Sequence, residues 1–236
     1  MRSAFRLKTV NMKNSISKIL LALMVLLFAG CGEWVDPKDL VSGNAKPDSG
    51  SDSPGNEAEL ITYKVGDYYN VNGKQGVVFW VDETGQHGKI VSLAESTSEL
   101  EWSSDVAELK RLIGADYMNN GANNMAFVKQ ISGWKSKYPA FKWCADLGGG
   151  WYLPAIEELK IFTLEESVHD AVNKTLATKG VKLANIGDNY AYWSSTEHDY
   201  QYSTDYFCAW RVGMYRGDTY VSAKGYGGYV RAVSAF

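Results

Sequence analysis

The sequence GGGWYLPAIEELKIF, residues 148–162, decides the fold class of this chain. Its three glycines predict a turn, because glycine adopts left-handed backbone conformations at little steric cost. Pro154 follows, and proline suits the first turn of a helix because its ring already holds the helical φ. Ile156, Leu159 and Phe162 then recur at helical spacing. The stretch therefore predicts a turn followed by an amphipathic helix in the second half of the chain.

Strand patterns lie on both sides of the helical region. Runs rich in aromatic and β-branched residues, typical of strands, cover residues 63–69, 77–81, 89–93, 191–195, 206–212 and 228–233. Turn signals at Asn72-Gly73 and residues 84–88 fold the first three runs into a meander whose central strand is buried on both faces. The order strands, helices, strands predicts a single α+β domain with strands at both termini. We expect the last strand to pair with the first meander.

Two further helix starts can be read from capping residues. Ser104 is a suitable N-cap for a helix whose apolar stripe extends to Ile113. Ser167 and Asp170 have the spacing of a capping box, with Asp in place of Glu. Helices are therefore expected to fill most of the region between the two groups of strands.

The first 30 residues have the composition of a secretory signal. They contain five basic residues and no acid, and residues 19–28 are almost wholly apolar. That run is shorter than the ~20 residues needed to span a bilayer. The small pair Ala29-Gly30 before Cys31 is similar to the bacterial lipobox, in which the cysteine is acylated. We expect residues 1–30 to be a lipoprotein signal peptide and Cys31 to carry the lipid; a start at Met12 would also leave a complete signal.

The segment that follows differs in amino-acid composition from the rest of the chain. Residues 31–60 hold three of the five prolines and carry seven acids against two lysines, which predicts a flexible acidic tether before a domain at residues 61–236. From Cys31 onward, 27 acidic and 19 basic residues give a net charge of −8. This balance argues against nucleic acid as a partner and against adhesion to anionic lipid by charge. The expected membrane contact is the lipid on Cys31 alone, with the exported chain held at the outer membrane or cell surface.

Two cysteines remain beyond the lipid site. Cys144 and Cys208 would lie in an oxidising compartment, where a disulfide is permitted. Buried thiols are the alternative, because a free cysteine behaves as a small hydrophobic residue. Two cysteines carry too little pattern to decide between these states.

Three landmarks in the second half of the chain resemble a known domain family. They are Gly150-Trp151-Tyr152-Leu153-Pro154 leading into Glu157-Glu158-Leu159, then Tyr192-Trp193-Ser194-Ser195-Thr196, and finally Tyr229-Val230-Arg231-Ala232-Val233. Together they resemble the domain first described in the C-terminal part of a collagen-like bacterial adhesin, long catalogued as a domain of unknown function. The opening from Gly66 to Val91 is similar to the version carried by lipoproteins of Bacteroidales-like anaerobes.

The resemblance covers residues 63–236 and implies a C-type-lectin-like fold, distantly related to formylglycine-generating enzymes. It implies a surface recognition module without a defined set of binding residues. Members often have a cysteine in the terminal element at the position where this chain has Ala232. Cys144 therefore lacks the disulfide partner that the family pattern implies. The calcium-site motifs of sugar-binding C-type lectins are missing from the sequence. The fold therefore does not by itself imply calcium-dependent sugar binding.

The landmark residues also have structural interpretations, which we favour. Large aromatic side chains dominate core energetics, so Trp151, Tyr192 and Trp193 are expected to fill the interior. Ser194-Ser195-Thr196 is expected to satisfy backbone groups at a strand end. Arg231 is expected to pair with Glu157 or Glu158.

No catalytic motif stands out in the sequence. The three histidines are scattered, and H-E-x-x-H, C-x-x-C, G-x-S-x-G and phosphate-loop patterns are absent from it. We therefore expect a non-enzymatic module without cofactor or metal that recognises a glycan or a surface protein. A formylglycine-generating-enzyme-like or hydrolytic enzyme is the first alternative, and a structural subunit of a surface assembly is the second.

One polar and aromatic segment between two strands is the predicted recognition site. It runs from residue 196 to residue 205, and we expect it to form a loop. Exposed tyrosines beside polar side chains suit stacking on sugar rings or anchoring of a protein partner. The predicted ligand-binding residues are Glu197, His198, Asp199, Tyr200, Tyr202 and Asp205. A metal site at residues 197–199 is disfavoured, because adjacent residues rarely converge on one ion.

Overall fold

Strands, helices and strands follow one another along the chain, as the α+β prediction requires. The computed structural model describes residues 61–201 and 206–236, which contain nine strands and six helices. The strands are β1 Tyr68–Val71, β2 Lys74–Val81, β3 Gly88–Glu95, β4 Leu100–Glu101, β5 Ala191–Gln201, β6 Phe207–Gly213, β7 Asp218–Ala223, β8 Gly227–Gly228 and β9 Arg231–Ala235. The helices are α1 Val106–Leu109, α2 Gly121–Lys129, α3 Trp134–Lys137, α4 Pro139–Asp146, α5 Ile156–Leu164 and α6 Glu166–Ala177.

The largest sheet joins the two ends of the domain. Its strand order is β1-β2-β3-β9, and all of its pairs are antiparallel. Val91 in β3 lies opposite Val233 in β9, which confirms the predicted pairing of the last strand with the opening meander. Residues 77–79 of β2 are consecutively buried, as expected of a strand covered on both faces.

A second antiparallel sheet, β5-β6-β7, contains most of the C-terminal part of the domain. It is tied to the rest of the fold by a bridge between Tyr192 and Tyr229 and by the Trp193 N–H, which donates to the Tyr229 carbonyl at 3.0 Å. The short strands β4 and β8 form a separate pair. The three-stranded sheet is therefore held at its β5 side, while β7 lies at its edge.

The landmark aromatics fill the interior as predicted. Trp151, Leu153, Tyr192 and Trp193 are all buried, and the Trp193 indole N–H donates to the Leu100 carbonyl at 2.9 Å. The hydroxyls of Ser194 and Thr196 satisfy backbone groups as predicted, donating to the carbonyls of Trp210 and Tyr117 at 2.8 and 3.0 Å. These residues lie inside β5 and not at its end, and the Ser195 hydroxyl instead accepts from the Asn124 side chain. Burying these large rings with their polar atoms satisfied stabilises the junction between the sheets and the helices.

The triple glycine forms the predicted turn. All three residues have positive φ, between 53° and 81°, which only glycine adopts without strain. The chain then passes through Pro154 before α5 begins at Ile156, so the proline precedes the helix by two positions instead of lying in its first turn. The Pro154 carbonyl accepts a hydrogen bond from the Ser195 N–H at 2.8 Å, which explains this extended approach.

Two predicted helix starts are wrong by one or more residues. The N-cap of α1 is Asp105, whose carboxylate accepts from the Ala107 and Glu108 N–H groups, and the helix ends at Leu109, well before Ile113. Helix α6 begins at Glu166, so the serine chosen as its cap lies inside the first turn. A carboxylate caps α1, whereas the N-cap of α6, Glu165, makes no side-chain capping hydrogen bond. Local pattern alone does not separate neighbouring cap candidates.

Arg231 has a different partner from the one predicted. Its Nε lies 3.4 Å from Glu95 Oε2, and its Nη atoms donate to the carbonyls of Leu93 and Lys182. Glu158 instead pairs with Lys89 at 2.6 Å, so the α5 carboxylates are not the partners of Arg231. Arg231 has these partners because β9 pairs with β3, which places Arg231 opposite Glu95 at the end of β3.

Residues 1–60 lie outside the described residues. They include the predicted signal peptide, the predicted tether and Cys31, so those assignments stay predictions. Within residues 61–201 and 206–236, none of the helices is long and apolar enough to cross a membrane.

Candidate functional site

The predicted recognition segment is a strand over most of its described length. Strand β5 continues to Gln201, with Glu197 opposite Ala209 and His198 opposite Cys208 in β6. The loop expected from residue 196 onward is therefore wrong up to Gln201, because two register shifts allow the polar segment to stay paired with β6. Tyr202 and Asp205 lie outside the described residues, and their role stays a prediction.

Glu197 lies at the inner side of this segment and is 4% exposed. Its carboxylate accepts hydrogen bonds from the N–H groups of Ile113 and Ala115 at 2.9 and 3.0 Å. It also forms an ion pair with Lys224, whose ammonium is fully buried. Burial lowers the pKa of Lys224, while the adjacent Glu197 charge opposes that shift. With three donors on its carboxylate, Glu197 joins β5, the end of β7 and the 111–115 segment.

A shallow cleft lies above Glu197, and we call it the His198 cleft. Its volume is about 350 Å³, and its lining includes Leu112, Met118, His198, Asp199 and Trp210. The His198 ring packs edge-on against the Trp210 indole, with 5.1 Å between ring centroids. His198 Nδ1 accepts a hydrogen bond from the Tyr200 N–H, which leaves the other ring nitrogen to carry the proton of the neutral form. Tyr200 beside it is 54% exposed.

A second cleft lies at the opposite end of the three-stranded sheet, where β5 and β7 begin and β6 ends. We call it the Arg211 cleft; its volume is about 460 Å³. Its walls combine tyrosines with charged and amide side chains, namely Glu99, Asn189, Tyr190, Tyr215, Arg216, Asp218 and Tyr220. Sequence pattern does not reveal this cleft, because its residues come from four separate segments of the chain.

Arg211 forms part of this cleft and is 6% exposed. Its guanidinium stacks over the Trp193 indole at 4.4 Å, and Nη2 donates to the Gly227 carbonyl at 2.7 Å. Nε is buried without a hydrogen-bond partner in the described part of the chain. Burial lowers the pKa of Arg211, and Tyr220 and Glu99 oppose this shift. One signal was available in the sequence: Arg211 interrupts the apolar run of residues 206–212.

The two cysteines of the domain are buried and not joined by a disulfide. Burial raises the pKa of the Cys144 thiol well above its ordinary value. A thiol in such a setting is not the reactive thiolate that redox or nucleophilic chemistry requires. Of the two states left open by the sequence, the structure has the buried thiols.

The remaining buried acid of the helical region is also held by neighbours. Glu108 accepts hydrogen bonds from Tyr138, Lys137 and Arg111. Burial, the largest single influence, raises its pKa, but these three donors together outweigh it and lower the pKa below the ordinary value. In residues 61–201 and 206–236, no three His, Cys, Asp or Glu side chains lie close enough together to hold a metal ion.

Comparison with known proteins identifies the family. A family model described as the Lcl C-terminal domain matches residues 92–234, from within β3 to within β9 and over more than half of the chain. No curated protein matches the chain. Strands β1 and β2 precede the matched region, although they belong to the same sheet as β3 and β9. The chain therefore belongs to the Lcl C-terminal domain family, the collagen-like adhesin family that its motifs resemble.

Proposed function

We propose that this chain is an exported lipoprotein whose domain, residues 61–236, is a surface recognition and adhesion module for a glycan or a protein ligand. Membership of the Lcl C-terminal domain family supports a surface adhesin-like module. The C-type-lectin-like fold is part of this proposal. It is supported by the antiparallel sheet that joins the two ends of the domain.

One observation carries the proposal. Within residues 61–201 and 206–236, six tyrosines have exposed side chains, and five of these lie between residues 200 and 226, on or next to the three-stranded sheet; the five are Tyr200, Tyr206, Tyr215, Tyr220 and Tyr226. Exposing large aromatic surface has a hydrophobic cost, and tyrosine is enriched where proteins meet ligands because its ring and hydroxyl both make contacts. The sheet β5-β6-β7 is therefore the recognition surface that we propose.

A non-enzymatic role is part of the same proposal. The buried carboxylates of Glu108, Glu158 and Glu197 each accept hydrogen bonds that tie separate elements together, which supports structural roles for them. The raised pKa of Cys144 disfavours thiol chemistry of the formylglycine-generating type. Finding a bound copper or calcium ion in the purified domain would contradict this assignment.

The anchoring part of the proposal concerns Cys31. Replacing it with serine should leave an unprocessed chain that no longer carries lipid, because acylation needs the thiol. Cell fractionation and labelling with a fatty-acid analogue would test this. A Cys31→Ser variant that is still processed and lipidated would contradict the anchor.

Recognition is tested by probing the soluble domain on an array of glycans and extracellular-matrix proteins. The double change Tyr200→Ala, Tyr202→Ala should weaken binding to any ligand that uses the predicted recognition segment, residues 196–205, since both tyrosines belong to it. Trp80→Ala is the matched control, because this exposed aromatic residue lies on β2, in the other sheet. A domain that binds nothing on such arrays would contradict the proposed function.

A further inference from the structure

We propose that the Arg211 cleft binds a single sugar ring that carries a carboxylate, such as a hexuronic acid or a nine-carbon acidic sugar. This inference rests on the proposed recognition function and deepens it by naming a ligand class and a subsite. It is carried by the contrast between Arg211 and the other buried cations, and by the side chains around the cleft.

Arg211 differs from the other buried basic residues in what faces it. Three basic side chains are buried in the described part of the chain, and two of them have a carboxylate partner: Lys224 has Glu197 and Arg231 has Glu95. Arg211 has no such ion pair within residues 61–201 and 206–236. The one hydrogen bond of its guanidinium in this part of the chain goes to a backbone carbonyl. Glu99 acts on Arg211 only at longer range, without an ion-pair contact. A buried guanidinium without a direct carboxylate contact is costly, so an anion arriving in the cleft would gain a partner already in place.

Aromatic rings around the cleft supply a surface for a sugar ring. Tyr215 and Tyr220 are 68% and 40% exposed, and the Tyr220 ring centroid lies 5.8 Å from the Arg211 guanidinium. Tyr190 is held by stacking on Tyr229 at 3.7 Å between centroids, so that wall is fixed before a ligand arrives. Aromatic walls that are already in place lose little conformational entropy when a ligand binds, and such walls are typical of small-molecule sites.

The charged side chains at the rim favour a monoanion over a polyanion. Arg211 and Arg216 face Glu99 and Asp218 across the same cleft, so positive and negative side chains are balanced. The two acids repel a polyanion such as nucleic acid, while they can accept hydrogen bonds from ring hydroxyls. Asn189 adds an amide that both donates and accepts. A monoanionic, hydroxyl-rich ring satisfies all of these groups at once.

The test is a calorimetric titration of the soluble domain with matched sugars. Galacturonic acid and galactose have the same ring, but galacturonic acid carries a carboxylate where galactose carries a hydroxymethyl group. N-acetylneuraminic acid is the second acidic probe. We expect at least one acid to bind, and to bind at least tenfold tighter than galactose. Tyr215→Ala should weaken that binding severalfold without changing the melting temperature, because this side chain is mostly exposed. Arg211→Met, which removes the charge and keeps an unbranched side chain, should remove the preference for the acid.

The matched control is Tyr226→Ala, an exposed tyrosine that lies outside the Arg211 cleft. This change should leave the affinity for the acid unchanged. If neither acid binds tighter than galactose, or if Tyr215→Ala has no effect on binding, the inference is wrong. In that case a glycan or protein bound elsewhere on the domain would still support the proposed function, whereas a domain without any ligand would overturn both.

Discussion

Removing the Glu197 carboxylate should destabilise the domain more than any exposed substitution. Glu197→Ala takes away the counter-charge of Lys224, whose ammonium is fully buried, and the acceptor for the backbone N–H groups of Ile113 and Ala115. The free ammonium cannot reach solvent without opening the end of β7. The change therefore tests whether this pair holds the three-stranded sheet to the 111–115 segment.

The expected magnitude follows from the burial of both partners. Breaking a buried ion pair by removing one member costs about 3–5 kcal/mol. We therefore expect a loss of about 4 kcal/mol in the free energy of unfolding, a large share of the ~5–15 kcal/mol that native domains have. For a domain of this size the melting temperature should fall by roughly 8–16 °C.

Urea unfolding of the purified domain, followed by tryptophan fluorescence, measures this loss. Lys142→Ala is the control, because it breaks an exposed pair with Asp146 and should leave the free energy of unfolding nearly unchanged. The double change Glu197→Gln, Lys224→Met should recover at least half of the loss, since it removes the uncompensated charge and keeps an acceptor. A Glu197→Ala variant that loses less than about 1 kcal/mol would refute the reasoning.

Three further predictions concern the rest of the domain. Deleting residues 228–236 should unfold the whole domain in circular dichroism because β9 pairs with β3; a truncated chain that melts like the full one would contradict this. Cys144 should resist iodoacetamide in the native domain and react once it is unfolded in urea, because burial raises its pKa; rapid labelling of the native thiol would count against that burial. Glu108→Gln should lower the free energy of unfolding, and its full effect should be present above pH 4.5. The difference in unfolding free energy from the parent should shrink as the pH falls through the lowered folded pKa of Glu108; a difference independent of pH would contradict this.

The strand–helix–strand order could be predicted because its signals are local. Alternation, turn residues and helical spacing act within a few positions, and they indicated both the α+β class and the glycine turn before α5. The burial of Trp151 and Trp193 followed from the size of their side chains. The pairing of the last strand with the opening meander followed from the strand order, whereas the choice of β3 within the meander was not predicted.

The candidate sites were harder to predict because they depend on distant partners. Glu197 belongs to a segment that is typical of a solvated loop, yet it faces Lys224, 27 residues further along the chain. Arg211 lies within an apolar run that predicted a core strand, and its cleft is completed by residues as far away as Glu99. Arg231 pairs with Glu95 because of sheet register, which sequence pattern does not specify.

The most direct test of the account is to map where a ligand touches the domain. Hydrogen exchange of the domain, alone and with the strongest ligand found on a glycan and matrix-protein array, locates the contact to within a few residues. The account predicts added protection between residues 189 and 227, which contain β5, β6 and β7. Protection confined to β1, β2 and β3, or to the helices, would contradict the claim that the three-stranded sheet is the recognition surface.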